Sequence, residues 1–377
     1  MITSKNLNKR LKSFFGYLFL YQRKTLNSYR LRKRIKKSLK LVSKQTVIKN
    51  DGEYHKQVRQ FLKSNFHGYR QIEWHQLYYS LSNIKSIDFI PDEIFFNCFE
   101  LILNKRDFAY VLSDKISYDT LFHKKDLPET VFKLINGRFY SSENYFLERE
   151  KALIELYNLN KKVIIKPSVN SGGGRNIVVD NSRNLCSLLK RKEYLIDSYI
   201  IQEFVQQHPL LERFHATSLN TCRIMTAKVD EEIVILSAFL RTGRDNSIID
   251  NGQAGGILCG INSNGFLGSY GINNKFEKFY THPNSKIKFA GAHVPNYNQA
   301  SQFCIENHKK FLRFTFISWD IAIDYKGNPI FIEFNPRSQG IHNHQILNGP
   351  LLGEYTSYFI KRYHEEKNNV LPPDFVI

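Results

Sequence analysis

The residues best equipped for chemistry lie near the C-terminus, where Asp320, Glu333 and Asn335 fall within WDIAIDYKGNPIFIEFNP. One β-branched run carries Asp320, the turn formers Tyr325, Lys326, Gly327 and Asn328 follow, and a second run returns through Glu333 and Asn335. Residues two apart on a strand share a face, so Glu333 and Asn335 point the same way and a hairpin brings Asp320 beside them. Two carboxylates and an amide oxygen are hard donors suited to Mg²⁺, which takes its other ligands from water and phosphate. Facing carboxylates with no cation would be costly. The alternative is a hairpin whose polar residues merely edge solvent.

A second pattern is KKVIIKPSVNSGGGRNIVVD, two β runs around Ser171, Gly172, Gly173 and Gly174. A glycine run lets backbone N–H groups approach phosphate oxygens, and Lys166 at the end of the first run adds a positive charge. It is not a Walker A loop, because the lysine precedes the glycines. An ordinary glycine-rich hairpin is the competing reading. His342 and His344 alternate without a third ligand, which is a weak metal pattern; substrate contact and a satisfied structural role both remain open for them. The five cysteines are scattered with no CxxC, as expected of reduced thiols in a cytoplasmic protein, and Cys222 reads as core. No GxSxG motif supports a hydrolase.

These residues need a scaffold, and 377 residues suffice for two or three domains. Residues 1–50 hold 15 of the 54 Lys/Arg and none of the Asp/Glu, so the rest of the chain is close to neutral and a nucleic-acid groove through it is disfavoured. Within that segment Leu7, Leu11, Phe14, Phe15, Leu18 and Phe19 recur at helical spacing, and Leu31, Ile35, Leu39 and Val42 form a second stripe. Such basic amphipathic helices lie on an anionic membrane, dock a partner or pack on the protein's own body. The apolar run Phe14–Tyr21 is far shorter than the roughly 20 residues of a membrane span. Residues 51–113 read as helical, with Pro91 opening a helix. From about Asp114, short β runs interleave with helices, which indicates an α+β or α/β architecture.

The order of these motifs resembles the ATP-grasp superfamily, to which D-alanine–D-alanine ligases belong. The spacing of Asp320, Glu333 and Asn335 is similar to its magnesium motif. SDKISYDTLF followed by DLPET resembles its upstream segment and makes Lys115 the first phosphate-facing lysine. Lys166 resembles the second lysine, and Ser171–Gly174 the phosphate lid. YIIQEFV resembles the hinge, placing Gln202, Glu203, Phe204 and Val205 beside adenine, largely through backbone groups. Arg223 in NTCRI and Arg241 in AFLRTG resemble strand arginines that face phosphates or the reacting carboxylate. Asn251 and the AGG of Ala254, Gly255 and Gly256 stand where such ligases place a substrate-side loop, with Arg337 and His342 as further substrate candidates. Ligases often carry an acid beyond the hinge for the ribose; this chain reads QQHPLL, which puts Gln207 or His208 there.

The resemblance spans about Asp114 to Tyr363 and is nearest to the sugar-transfer-associated ATP-grasp proteins, related to a teichuronopeptide-biosynthesis family. It implies an α+β ATP-grasp fold of two lobes clasping ATP, divided as a basic segment 1–50, a helical region 51–113, a first lobe 114–204 and a second lobe 205–377. It also implies ATP and Mg²⁺ as cofactors and an ADP-forming carboxylate–amine ligase working through an acyl phosphate. The expected substrates are a small-molecule or lipid-linked sugar carboxylate, such as a uronic acid, and an amine or amino acid, in bacterial surface polysaccharide assembly. The acceptor pocket is expected from residues 50–113 with the loops near Asn251 and Arg337, and the location is cytoplasmic, peripheral at the inner membrane face. A kinase acting on a sugar hydroxyl and a non-catalytic nucleotide-binding module are the competing functions.

Overall fold

The computed structural model describes residues 4–367 apart from 67, 105, 170, 192, 253 and 254. Two antiparallel sheets carry the chain beyond its N-terminal helices. The first comprises β1 (Thr130–Ile135), β2 (Arg138–Ser141), β3 (Phe146–Leu147), β4 (Lys162–Pro167), β5 (Val178–Asn181) and β6 (Tyr199–Glu203), in the order β3-β2-β1-β6-β4-β5. The second comprises β7 (Thr221–Val229), β8 (Glu232–Thr242), β9 (Ile257–Ile261), β10 (Leu267–Ile272), β11 (Lys278–Phe279), β12 (Phe316–Ile323) and β13 (Pro329–Asn335), in the order β11-β10-β9-β8-β7-β12-β13. The β runs singled out in the sequence correspond to β4–β8, β12 and β13. Of the other six strands, β2, β3 and β11 are short, β9 and β10 carry glycine, and β1 (TVFKLI) is as long as β4.

Strand periodicity divides each sheet into an apolar and a polar face. On β4, Val163 and Ile165 pack with Ile201 against the helices Arg149–Leu159 and Ser182–Leu188. Ile164 and Lys166 take the opposite face, with Ile164 paired to Gln202. In the second sheet Cys222, Ile224, Leu240, Trp319, Ile321 and Phe331 share a core with Ala300 and Cys304 of the helix Tyr297–His308. Part of its other face, including Met225, Ala227, Phe239 and Leu258, is covered by the N-terminal helices and the helix Ile341–Asn348. What remains uncovered there is the polar stretch around Thr221, Arg223, Arg241 and Asp320.

The N-terminal region is helical, as the sequence suggests, but its basic part is one helix, α1 (Ser4–Val42), rather than two. No proline or turn cluster separates the two stripes, so nothing interrupts it. The side chains of the Leu7–Phe19 stripe lie outside the described residues. The second stripe docks on the body: Leu31, Ile35 and Val42 are buried with Trp74, Leu77, Tyr78 and Leu81 of α3 (Glu73–Ser82). Between them, α2 (Gly52–Asn65) is capped by Asp51, whose carboxylate accepts the Tyr54 N–H at 2.9 Å. Pro91 precedes the Asp92–Ile94 turn, which continues through a π-helical stretch, Phe95–Phe99.

Because Ile35 is 1% exposed while Lys36 faces solvent, Ile35→Ala is expected to lower unfolding stability by about 2–4 kcal/mol. Lys36→Ala should stay within about 0.5 kcal/mol of the native protein. Urea unfolding of the full chain reads both.

Candidate functional site

The hairpin between β12 and β13 builds the centre of the site. Its turn is set locally: the Asp324 carboxylate accepts the N–H groups of Lys326 at 2.9 Å and Asn328 at 2.7 Å. Gly327 has φ 89°, and a Cβ there would collide with the Asn296 side-chain amide. That turn puts Asp320 directly opposite Glu333, and Ser318 opposite Asn335. On its other side Asp320 pairs in register with Arg223 of β7, while Thr221 pairs with Arg241 of β8.

Asp320 is buried and held by two arginines. Arg223 donates through Nε to Oδ1 and through Nη2 to Oδ2 at 2.7 Å, and Arg241 Nη1 donates to Oδ2 at 2.6 Å. Burial alone would raise the Asp320 pKa, but the two guanidinium charges and their hydrogen bonds bring it down to about 2. Arg241 Nη2 also donates at 2.9 Å to Asp250, whose other oxygen accepts from Thr221 Oγ1. Burial raises the Asp250 pKa, and Arg241 and Thr221 offset only part of that.

The first sheet supplies the opposing cations. Lys166 is buried, with Nζ 3.2 Å from Gln202 Oε1. Burial first, then the like charge of Lys115, lowers its pKa to about 8, against the pull of Glu333 and Asp250. Lys115, placed by a short turn that Asp114 caps, donates to Ser171 Oγ at 2.9 Å and lies 3.2 Å from Glu333 Oε2. It thus ties the glycine loop to the second sheet. The loop itself bends through Gly173 and Gly174 at φ 79° and 78°, and a Cβ on Gly174 would strike the Ile249 side chain.

Most of these groups line one open cleft; Arg223, Gln202 and Asn335 are not among its lining residues. Around it stand Lys115, Lys166, Ser171, Gly173, Gly174, Glu203, Phe204, Val205, Arg241, Asn251, Asp320 and Glu333, with Pro128, Ile164, Ile177, Leu219 and Ile332 as an apolar wall. The sequence did not mark Asp250 or Thr221. Their roles depend on Arg241 lying between Asp250 and Asp320, which strand pairing establishes and no local spacing announces.

Several candidates stand elsewhere or act differently. The Glu203 carboxylate pairs with Lys161 at 2.6 Å, and the Gln202 amide braces Lys166. His208 Nδ1 accepts the Leu210 N–H at 3.2 Å as a helix cap, and Gln207 is buried on the Ser218 and His215 carbonyls, so neither lines the cleft. Gly172 shares the glycine loop, its carbonyl accepting from Arg175 at 3.1 Å. Gly256 fits tightly against the Asp250 and Thr242 carbonyls and Gly255 takes φ 94°, both loop-shaping roles; Ala254 lies outside the described residues. Arg337 stacks on Tyr110 at 3.6 Å. His342 meets Arg34 at 2.8 Å and Asp92 at 3.4 Å, and His344 meets Ser237 at 2.9 Å, so both are structurally engaged. None of the described residues among 50–113 lines the cleft. All five cysteines are free, and burial drives the Cys222 thiol up to about 12.

For a divalent cation, the donors are Asp320, Glu333 and Asn335. Asn335 stands opposite Ser318 on the hairpin, and its amide nitrogen is buried with no hydrogen-bond partner, which leaves a donor, not a metal ligand, unsatisfied. Among the described residues no cluster of three or more His, Cys, Asp or Glu forms; here the third donor is an amide. Their oxygens are hard donors, but both Asp320 oxygens already accept from Arg223 and Arg241 and Glu333 pairs with Lys115, so a cation would have to displace these partners.

The two sheets and the cleft define an ATP-grasp fold. The chain belongs to the sugar-transfer-associated ATP-grasp family, whose model matches residues 96–358. Similar solved structures include the biotin carboxylase domain of Hydrogenobacter thermophilus 2-oxoglutarate carboxylase with MgADP, ADP and bicarbonate, at 14% identity over 70% of this chain and 48% of that one, TM-score 0.42. D-alanyl-alanine synthetase A from Vibrio cholerae matches at 8% identity over 69% of this chain and 66% of that one, TM-score 0.41. The ATP-grasp ligase PsnB with minimal precursor, Mg and ADP matches at 11% identity over 70% and 62%, TM-score 0.40. The chain spans about half the length of the first. At these identities the likeness is one of fold. No curated protein matches the chain.

Arg241→Met leaves two buried carboxylates short of charge and is expected to cost about 3–5 kcal/mol at pH 7. Because the folded Asp320 pKa is depressed to about 2, its stabilisation is present above the unfolded value and is lost as pH falls from about 4 towards 2. Urea midpoints across that range check both statements.

Proposed function

We propose that the chain is an ADP-forming carboxylate–amine ligase. The observation that supports it most is the cross-strand Asp320–Glu333 pair facing Lys115 and Lys166 across a cleft with an apolar wall. The wall near Ile164, Phe204 and Val205 suits a flat base. The Glu203 and Phe204 amides are already given to Glu129 and Lys162, so the base edge is read by other backbone groups of the hinge. The cations and glycine loop suit a polyphosphate. With Asp320, Glu333 and Asn335 as ligands, bound Mg²⁺ would neutralise phosphate charge.

The substrate carboxylate attacks the γ-phosphorus, the bond to the β-bridging oxygen breaks, and ADP leaves as an acyl phosphate forms. Lys115, Lys166 and Arg241 hold the developing negative charge, which is where phosphoryl transfer draws its rate. An amine then attacks the acyl carbon, expels phosphate, loses a proton and leaves an amide. Asn251 lines the same cleft and is the candidate for contact with that carboxylate. Family membership favours a sugar carboxylate, such as a uronic acid carried on lipid at the inner membrane face, joined to an amino acid or similar amine for a surface polysaccharide.

Asp320→Asn and Glu333→Gln should each lower substrate-dependent ADP release by about a hundredfold or more. Uronic acids screened against amines test the ligase itself: phosphate release must require the amine, and the product mass must be that of an amide. A phosphorylated sugar formed without amine would refute it.

Lys166 sets a pH dependence. In the free protein it keeps its proton only up to about pH 8, whereas a bound phosphate raises that limit. ADP affinity measured by calorimetry should therefore fall above pH 8, by up to about tenfold per unit. Lys166→Met should bind more weakly with a flat profile.

A further inference from the structure

α1 has two faces, and they are committed differently. Leu31, Ile35 and Val42 form the inner stripe, buried on α3. Flanking it, Arg32 Nη2 lies 3.1 Å from Glu93, and Arg34 Nη1 lies 3.7 Å from Asp92 and Nη2 2.8 Å from His342. Both arginines are therefore anchors to the body. At about 100° per residue, Leu26, Tyr29, Lys33, Lys36 and Lys40 fall on the opposite face. Leu26 and Tyr29 are 59% and 66% exposed, and the three lysines face solvent. Steps of three or four continue back along the sequence through Gln22, Leu18, Phe15 and Leu11. No Asp or Glu occurs in residues 1–50 to offset the charge.

We propose that α1 is a fixed strut whose outer face lies on an anionic bilayer while its inner face holds the catalytic body. The outer face combines solvent-facing lysines with exposed apolar side chains, the pairing that an interfacial helix needs. A convex helix offers no groove for a nucleic acid. The guanidiniums of Arg32 and Arg34, which would read phosphate bidentately, are turned to the body's carboxylates and to His342. Because Arg34 reaches His342 on the helix that covers the second sheet, the contact with the bilayer is carried rigidly to the lobe that bears Asp320. This inference rests on the proposed reading of a membrane-held substrate but not on the chemistry of the cleft. Among the described residues no helix is long and apolar enough to cross a membrane, so the contact is with the surface.

The test is co-sedimentation of the full chain with phosphatidylglycerol-containing vesicles and with pure phosphatidylcholine vesicles. Each basic side chain at an anionic surface contributes about fivefold to partitioning. The triple variant Lys33→Glu, Lys36→Glu, Lys40→Glu should therefore lose about a hundredfold or more in binding to anionic vesicles. It should keep the native unfolding midpoint and ADP release with soluble substrates. Lys33→Gln with Lys36→Gln should give an intermediate loss, and binding of the native chain should weaken with salt. Glu333→Gln should bind vesicles as the native chain does, which separates failure here from failure of the ligase reading. Equal binding by the triple variant, no preference for anionic vesicles, or tight retention of single-stranded RNA with no vesicle binding would each overturn the proposal.

Discussion

A carboxylate on an inner strand of a sheet must be met by positive charge, and Asp320 is met twice. Arg223 and Arg241 come from β7 and β8, so the demand of one side chain fixes the register of three neighbouring strands. Arg241 in turn needs Asp250, and Asp250 needs Thr221, which pulls the loop after β8 back over the sheet. Unmet, any of these charges would cost more than a typical single contact contributes. The apolar face beneath, with Trp319, Phe331 and Phe334 packed on one another, holds the strands that carry them.

The parts of this site legible in the sequence are those whose logic is local. Asp320, Glu333 and Asn335 were readable because strand period and turn chemistry operate over a few residues, and the turn at Asp324–Asn328 behaves as its composition says. Lys166 and the glycine loop are adjacent in the same way. The opposite holds for His208, Gln207 and His342, whose chemistry suggested ligands but whose partners are protein groups. His342 meets Arg34, 308 residues away, a contact that no spacing rule reaches. Asp250 failed to announce itself for the same reason: its meaning depends on Arg241 and Thr221 lying beside it. The short strands β2, β3 and β11 are held by pairing with longer neighbours rather than by any pattern of their own.

The basic segment teaches a related point about charge. Its excess of Lys/Arg looks uniform as a sequence, yet the fold commits Arg32 and Arg34 to buried acids and Lys49 to Asn83 and Tyr79, while Lys33, Lys36 and Lys40 face solvent. Leu31, Ile35 and Val42 make the helix part of the core, so the boundary drawn at residue 50 by composition is not a boundary in packing. Composition counts side chains; only packing shows which are already engaged.

The same accounting applies inside the cleft. Lys115 is held by Ser171 and Glu333, and Arg241 by Asp250 and Asp320. A polyphosphate entering here would exchange these partners rather than meet free charges, so its Coulomb attraction is offset by the ion pairs it breaks. Lys166 differs, because its contact is the neutral Gln202 amide and its charge is already disfavoured by burial and by Lys115. A phosphate oxygen would relieve that cost without displacing a carboxylate. Lys166 thus meets a phosphate from a different starting point than Lys115 and Arg241, which are already held by carboxylates.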